Sequence, residues 1–442
     1  MHCKTLAMAI TLATCLTEAV WAAPSDLMDI YKEAYLKDPV VLQSKATRDA
    51  AFEAIDEATA ALLPQIDVVG SLTAATNSSQ GESVDNRNAQ GGINLSQAIW
   101  RHSAWVSRTI AEKNAAQQDL VYNDALQNLI IRVSNAYFGV LNAEDTLTFA
   151  KANQEALRTQ LNEATRRFQV GLIAETDQLE AQAAYDLSTA QVISAENSLI
   201  NSYEEIRLLI GRPVTDLARL DAKRFSPEKI TRDRQTILKS AEVNNLSLQA
   251  AIVARDIAKD NITLAMTGHE PTLDLIGSLS TGYTDYSPEV PAASMTDGNT
   301  HGGSIGVQLN LPLYHGGATS SQVSQAEQNY VAASEAMELV HRTVVSNTNN
   351  GYNNVSAYIS SVIAYEQSVK SAESALAATR AGYEVGTRTM SDVLDATQSF
   401  YNAQQNLSAA RFNYILSRLN LLYTEGVLQV EDIERVNRGL IK

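Results

Sequence analysis

Four stretches of the chain alternate apolar residues with small or polar ones, and they form two pairs. The first pair covers residues 66–74 and 93–99, and the second covers residues 273–280 and 305–313. A period of two residues predicts β-strands, because successive side chains of a strand point to opposite faces. A polar stretch separates the members of each pair, at residues 77–90 and 285–303. The pattern therefore predicts two β-hairpins with long polar loops.

The two longest runs with a helical period contain no proline. They span residues 102–168 and 318–382, and at 1.5 Å per residue each makes a helix of roughly 100 Å. An interior proline would cost about 3 kcal/mol, so its absence favours unbroken helices. Gly171 and Gly386 follow the two runs and predict helix ends in the left-handed conformation.

Both halves of the chain carry the same landmarks in the same order. A shorter helix is predicted before each hairpin, over residues 26–62 and 236–267, and a return helix ends at Gly211 or Gly426. The glycines recur at a shift of 215 positions, and the hairpin starts recur at a shift of 207. A repeat of this length indicates a duplicated structural unit.

The N-terminus reads as a secretory signal, with Lys4, an apolar stretch at residues 6–16 and a small-residue cleavage site ending at Ala22. Both cysteines, Cys3 and Cys15, lie within it, so the mature chain has no thiol; acylation at Cys15 is the alternative to cleavage.

The predicted organisation is a signal peptide at 1–22, a first repeat at 23–211, a connector at 212–235, a second repeat at 236–426 and a C-terminal tail at 427–442.

Composition narrows the function classes. The net charge is −16, which argues against nucleic-acid binding, where a basic stripe is expected. No later run reaches the roughly 18 apolar residues of a transmembrane helix, so a membrane location would require a β-barrel. Four strands cannot close a barrel. Two chains would give about eight strands with a filled interior, whereas three would give about twelve and a lumen.

Several motifs of this chain are shared with a known family. They are Arg48–Phe52, Leu62–Gln65, Tyr137-Phe138 with Val140–Ala143, Arg167-Phe168 with Val170-Gly171, and Val385–Thr389 with Asp392–Thr397. On these motifs the chain from Ala22 to Gly426 resembles the TolC family of trimeric outer membrane efflux and secretion ducts.

The resemblance implies a mixed α and β membrane protein. Three copies would form a twelve-stranded barrel in the outer membrane, continued by a long periplasmic helical barrel. Such a homotrimer would be the exit duct for multidrug efflux and type I protein secretion. Its partners would be a periplasmic adaptor and an inner-membrane transporter of the RND or ABC class, with outer-membrane lipid around the barrel. No cofactor, metal site or enzymatic activity is expected.

Asp392 and Asp395 lie three residues apart and therefore share a helix face. Their first-half counterparts, Asp177 and Glu180, have the same spacing. Taken alone, these carboxylates are explained by a solvated face near a helix N-terminus. The resemblance instead implies that Asp392 and Asp395 line the periplasmic constriction of the closed duct, where a multivalent cation would bind.

Tyr383 and Arg388 flank the second helical turn. From the residues alone, they could simply pack at the helix end. The resemblance implies a closed-state lock, in which they bond to Thr176 and Asp177 of the first hairpin until the second hairpin swings outward like an iris. One position departs from the family, because Arg380 stands where a carboxylate is common. Its expected partner is Gln160, so this link of the lock would be lost or replaced.

The two helical turns match the tips to which adaptors dock in the family; without the resemblance they are ordinary helix ends. The tip residues are Val170, Gly171, Leu172 and Ile173 in the first turn and Val385, Gly386 and Thr387 in the second.

The residues alone leave two other functions to consider. A periplasmic coiled-coil structural or adaptor protein without a pore would need the helices, but not the two matched strand pairs. A hydrolase has support only from Gly302–Gly306, which fits Gly-x-Ser-x-Gly. That motif requires a strand before it and a helix after it, whereas here a polar loop precedes and a strand follows.

Overall fold

The computed structural model describes residues 24–79, 82–221, 225–287 and 298–441. The predicted signal peptide, including Cys3 and Cys15, lies outside the described residues. Nine helices are assigned within these ranges: α1 (Leu27–Lys37), α2 (Pro39–Ala60), α3 (His102–Gln169), α4 (Glu175–Ile210), α5 (Arg234–Asn244), α6 (Leu246–Met266), α7 (Ala318–Glu384), α8 (Met390–Glu425) and α9 (Val430–Asn437). The strands are β1 (Gln65–Ser79), β2 (Glu82–Trp100), β3 (Arg219–Leu220), β4 (Thr272–Ser287), β5 (Gly298–Asn310) and β6 (Leu440–Ile441).

The two long helices are confirmed, at 68 residues for α3 and 67 for α7. Gly171, Gly211, Gly386 and Gly426 all have positive φ angles between 75° and 78°, so each predicted glycine stop is also confirmed. A glycine adopts this left-handed conformation without the steric cost that a Cβ atom would add.

The helices that precede the hairpins are each broken once, which the sequence interpretation missed. The predicted helix at 26–62 is α1 and α2, and the one at 236–267 is α5 and α6. Asp38 and Asn245, at the shift of 207, are the breaks. The Asp38 side chain accepts a hydrogen bond from the Val41 N–H, and that of Asn245 accepts one from the Leu248 N–H, at 3.0 Å in both cases. Such side chains compete with helical backbone bonding and start a new helix instead.

The strands of both hairpins are longer than predicted. The first polar stretch, 77–90, is strand rather than loop apart from residues 80–81, which are not described. The second, 285–303, is strand at both its ends, and 288–297 lies outside the described residues. Backbone pairing does not require apolar side chains, so polarity is a poor guide to where a strand ends. Strand β5 ends at Asn310, two residues before Pro312, which has no N–H to donate.

The four long strands form one antiparallel sheet in the order β1-β2-β4-β5. Its register gathers apolar residues on one face, where Val68 lies opposite Ile93, Ile93 opposite Leu279, and Leu279 opposite Gly303. The neighbouring set of paired residues points to the other face and carries small and polar side chains: Asp67, Asn94, Ser278 and Ser304. In a single copy the apolar face is exposed, with Val68 at 81%.

The long helices form one layer. Helix α3 packs against α2 and α4 on one side and against α6 and α8 on the other, and α7 packs against α6 and α8. The order across the layer is therefore α2 and α4, then α3, then α6 and α8, then α7. Side-chain contacts follow the same order, such as Lys113 with Asp260 at 2.5 Å between α3 and α6. The outer sides of α4 and α7 are the edges of the layer.

The main hydrophobic core lies at mid-height of the layer. It includes Tyr137, Phe138, Ile206 and Ile433, all at most 1% exposed. The connector and the C-terminal tail, predicted as separate segments, pack together here because β3 pairs with β6. The ion pair of Arg232 with the buried Glu425, at 2.5 Å, ties the connector to the end of α8.

A second buried ion pair fixes the break between α1 and α2. Both Asp38 carboxylate oxygens accept hydrogen bonds from Arg132 on α3, at 2.9 and 2.7 Å, and Asp38 is 1% exposed. Although burial raises the pKa of Asp38, the Arg132 guanidinium and the Val41 N–H hold that pKa below its usual value. The carboxylate therefore stays charged inside the fold.

Replacing Arg132 by methionine should lower the free energy of unfolding by about 3 kcal/mol, because it leaves the Asp38 charge buried and unpaired. Denaturant unfolding in detergent measures the loss. The control is Arg158→Met, which breaks an exposed pair with Glu155 and should cost less than about 0.5 kcal/mol. The Arg132 effect should shrink as the pH falls through the lowered pKa of Asp38. Equal losses in the two variants would contradict this account.

Candidate functional site

The candidate site lies where the two helical hairpins turn, at the end of the helices farthest from the sheet. In the first turn the Leu172 N–H donates to the Arg167 carbonyl, and in the second the Thr387 N–H donates to the Gly382 carbonyl, both at 2.9 Å. Together with glycines of positive φ, these bonds form the standard glycine-terminated helix end. The repeat therefore builds the same turn twice.

The tips of both turns are apolar and exposed. Val170, Leu172 and Val385 are between 69% and 75% exposed. Gly171, Gly386 and Thr387 are exposed beside them, and Ile173 is half-buried against a small apolar cluster. The structure thus places all seven predicted tip residues at the hairpin ends, where a partner could reach them.

Asp392 has a structural role that the sequence interpretation described only as a dipole effect. Its carboxylate accepts a hydrogen bond from the Thr389 N–H at 2.9 Å, and the Asp392 N–H donates to the Thr389 hydroxyl at 3.2 Å. This capping box begins α8, and the spacing Thr-x-x-Asp was its signal in the sequence. The hydrogen bonds from Thr389, with a contribution from the Arg388 charge, lower the pKa of Asp392.

Asp392 and Asp395 lie on one side of α8, as their spacing predicts. Met390, Val393, Leu394 and Thr397 are buried, and at 100° per residue they occupy the opposite side of the helix. Packing of that buried side therefore determines the direction in which the two carboxylates point. Asp395 is exposed and Asp392 partly so.

Tyr383 is surrounded by charged groups. The guanidinium of Arg167 lies 4.8 Å from the centre of its ring, and Arg167 also pairs with Glu163 at 2.6 Å. Burial raises the pKa of Tyr383, the Arg167 charge opposes this, and Glu163 and Asp177 add to it. The sequence interpretation missed Arg167 and Glu163 as neighbours of Tyr383, since nothing in local spacing links residues more than 200 positions apart.

The Tyr383 hydroxyl is buried without a hydrogen-bond partner among the described residues. Within the described single chain, no hydrogen bond joins Tyr383 or Arg388 to Thr176 or Asp177. Asp177 is nevertheless close enough for its charge to act on Tyr383. The closed-state lock therefore stays a prediction.

Gln160 and Arg380 line one cleft of about 550 Å³ between α3, α7 and α8. Gln160 is 7% exposed, and its amide donates to the Thr397 hydroxyl at 2.9 Å. Arg380 is exposed. In this chain Gln160 thus bonds to α8 rather than to position 380 on α7.

Neither a metal site nor the hydrolase motif gains support. Among the described residues, no group of His, Cys, Asp and Glu side chains is arranged to hold a metal ion. Ser304, the centre of the Gly-x-Ser-x-Gly pattern, lies inside β5, with its Oγ 2.8 Å from Ser278 Oγ. In the part of the chain that the structure covers, no helix is both long and apolar enough to cross a membrane.

Comparison with known proteins gives a consistent result. The family model described as outer membrane efflux protein matches residues 30–212 and 237–424, which are nearly the two predicted repeats. Outer membrane protein TolC of Vibrio cholerae is 45% identical, over 96% of this chain and 95% of that protein. Outer membrane protein TolC of Escherichia coli is 40% identical, over 94% of this chain and 85% of that protein.

More distant relatives extend the comparison. The alkaline protease secretion protein AprF of Pseudomonas aeruginosa is 28% identical, over 79% of this chain and 72% of that protein. Among solved structures, the Campylobacter jejuni CmeC outer membrane channel has a TM-score of 0.77 at 17% identity, covering 94% of this chain and 89% of that one. At this identity the structural likeness concerns the fold alone.

Proposed function

The chain belongs to the outer membrane efflux protein family, and from this membership we propose that it forms an exit duct for efflux and type I protein secretion. It is an outer membrane protein with a large helical part in the periplasm, and it is not an enzyme. One observation carries the proposal of a shared duct. Both the sheet and the helical layer of a single copy are open at two edges, and apolar side chains cover surfaces that one copy leaves exposed.

The sheet needs further copies to close. Strands β1 and β5 are its edges, and each has one side without a strand partner in the described chain. Unpaired strand edges cannot persist in lipid, where no water satisfies the backbone. The apolar face with Val68 and Leu279 suits lipid on the outside, and the row with Asp67 and Ser278 suits a wet interior. Three copies would contribute about twelve strands, enough for a lumen.

The helical layer also has edges that suit a second copy. On the exposed side of α4, Ile193 and Ile200 are seven residues apart and more than 60% exposed. A spacing of seven is the period of a coiled-coil seam. The opposite edge, α7, exposes Leu339 and Ile363. We therefore propose that α7 of one copy packs against α4 of the next, which closes the helical layer into a tube.

The proposed constriction of the duct and its proposed partners are inferred from the candidate site at the two helical turns. Asp392 and Asp395 from each copy would meet at the constriction, and breaking the contacts of Tyr383 and Arg388 would let the second hairpin swing outward. The exposed tips around Leu172 and Val385 would receive a periplasmic adaptor, which connects the duct to an inner-membrane RND or ABC transporter. Relatives named for efflux and for protease secretion support both kinds of cargo.

The alternative, a periplasmic coiled-coil structural or adaptor protein without a pore, fits the helices alone. It leaves unexplained a four-stranded sheet that exposes Val68, Leu279 and Ile305 on one face. A soluble stalk would place polar side chains on that face.

Purification in mild detergent tests the proposal directly. The protein should elute with the mass of a trimer, and in planar lipid it should give discrete conductance steps. In a strain that lacks its own exit duct, the wild-type chain should restore resistance to a panel of efflux substrates. A stable monomer that produces no conductance would reject the proposal and favour the structural alternative.

A further inference from the structure

A pocket of about 320 Å³ lies between α3, α7, α8 and β3, next to the main hydrophobic core. Its lining is largely apolar. Leu141 and Phe412 are buried there, whereas Phe149 and Leu407 are only partly buried. Elements of both repeats and of the connector thus enclose one pocket, and its volume falls within the range of small-molecule sites.

Two guanidinium groups also line this pocket, those of Arg219 on β3 and Arg411 on α8. Arg219 pairs with Glu144 at 3.4 Å, and Arg411 pairs with Glu366 at 3.3 Å. Hydrogen bonds between a guanidinium and a carboxylate are usually about 2.7–2.9 Å long, and the buried ion pair at the α1–α2 break measures 2.7 Å. Both pairs at the pocket are loose by comparison, so both guanidiniums keep donors for another acceptor.

Arg411 is the less satisfied of the two. Its side chain is 17% exposed, and its Nε is buried without a hydrogen-bond partner among the described residues. The guanidinium lies 5.9 Å from the centre of the Phe225 ring, so the ring and Glu366 hold it in place. An unsatisfied buried donor is costly, most of all on a charged group. An acceptor bound to this guanidinium would offset the cost.

The two carboxylates that line the pocket are already engaged. Glu144 accepts a hydrogen bond from the Tyr203 hydroxyl at 2.7 Å, and Asp145 accepts one from the Ser408 hydroxyl. A cation in the pocket would lie close to two guanidiniums and be repelled by them. The two carboxylates balance the two guanidinium charges, so a second negative charge on a ligand would find no further cation. The lining therefore favours a ligand with a single negative charge.

We propose that this pocket binds a small carboxylic acid with an apolar body. The ionised carboxyl group lies between Arg219 and Arg411, because the planar guanidinium matches the two oxygens of a carboxylate. The apolar body packs against Phe149 and Leu407 and removes their exposed hydrocarbon from water. Neither the helical turns nor the two aspartates of α8 take part in this site.

Hydrocinnamate is a suitable probe, because it joins one carboxylate to one aromatic ring. Isothermal titration calorimetry with the full chain in lipid nanodiscs measures its Kd, and empty nanodiscs give the blank. A ligand of this size should bind with a Kd of about 1 mM or tighter. The neutral hydrocinnamamide and the cationic phenylpropylamine keep the ring and the chain. Both should bind at least about tenfold more weakly, because they lose the charge-assisted hydrogen bonds.

Arg219→Gln and Arg411→Gln test the two guanidiniums separately. The Arg219 side chain is 69% exposed, so its replacement should leave folding intact, and each variant should weaken hydrocinnamate binding by about tenfold. The matched control is Arg418→Gln, which makes the same substitution on α8 at a residue that pairs with Glu228 at 2.8 Å and does not line the pocket. It should bind hydrocinnamate as the wild type does.

Several results would overturn the inference. They are the absence of saturable binding, an amide or amine that binds as tightly as the acid, and Arg219 or Arg411 variants that bind like the wild type. Tighter binding of phenyl phosphate than of hydrocinnamate would also overturn the assignment to a carboxylate. Because the readout is binding to the purified chain, each of these results is independent of the conductance and resistance that test the proposed duct.

Discussion

Replacing Tyr383 by phenylalanine and Arg388 by serine is expected to leave the duct partly open. The two side chains would hold the second hairpin to Thr176 and Asp177 in the assembled trimer. Hydrogen bonds to charged groups contribute about 1.5–3 kcal/mol each, and 1.4 kcal/mol is a factor of about ten in an equilibrium. The open fraction should therefore rise by at least about tenfold. Single-channel conductance and entry of large antibiotics into intact cells both measure the change.

The surroundings of Tyr383 make this prediction specific. Among the described residues, the buried hydroxyl has no hydrogen-bond partner of normal geometry, so it is available for a partner that assembly or closure brings near. Arg167 on the ring face holds the side chain in place in the meantime. Phenylalanine keeps the ring and that stacking, and it removes only the hydroxyl.

A matched control separates the lock from a general loosening of α7. Tyr365→Phe with Arg342→Ser changes the same residue types at two positions within α7, and Arg342 forms an exposed pair with Glu338. This control should conduct like the wild type. A lock variant as tight as the wild type, or a control that leaks equally, would count against the closing role of Tyr383 and Arg388.

Removing both carboxylates with Asp392→Ala and Asp395→Ala is expected to abolish block of the duct by a trivalent cation. Each copy would contribute two carboxylates to a narrow ring, which attracts multivalent cations strongly. A unit charge pair at 4 Å is worth about 4 kcal/mol near a protein surface. Losing several such contacts should weaken block by more than about a hundredfold. Single-channel recording with hexaamminecobalt in the bath measures the affinity.

The control for this prediction is Glu204→Ala with Glu205→Ala, which removes the same charge from exposed positions on α4. Block should be unchanged there. Unchanged block in the Asp392 and Asp395 variant would instead remove these residues from the constriction. A separate readout is needed for stability, because Asp392 also caps α8 through Thr389.

The cap also determines how block should depend on pH. Hydrogen bonds from Thr389 lower the pKa of Asp392. The ionised cap therefore contributes its full stability above the ordinary carboxyl pKa, and this contribution is lost as the pH falls through the lowered folded value. Repulsion between copies acts in the opposite direction, and a bound cation offsets that repulsion. With the cation present, block should persist at mildly acidic pH and weaken only near or below the usual carboxyl range.

The sequence by itself determined the features that depend on local period. The duplicated unit, the two long helices and the glycines at their ends follow from patterns that span a few residues and repeat along the chain. The alternation in Ile305–Asn310 and its three counterparts located the strands, because side-chain direction in a strand depends only on position. The same patterns gave no reliable strand ends, since polar residues such as Asn77 and Gln90 pair through their backbones as well as apolar ones do.

Only the tertiary structure decided which side chains meet. The pairing of Gln160 with Thr397 joins residues 237 positions apart, and the stacking of Arg167 on Tyr383 spans a similar distance along the chain. The packing of α3 against α8, and the approach of α7 to α3 near the turns, create these contacts. A local pattern can place a residue on a helix face, but only the arrangement of the helices selects the partner across that face.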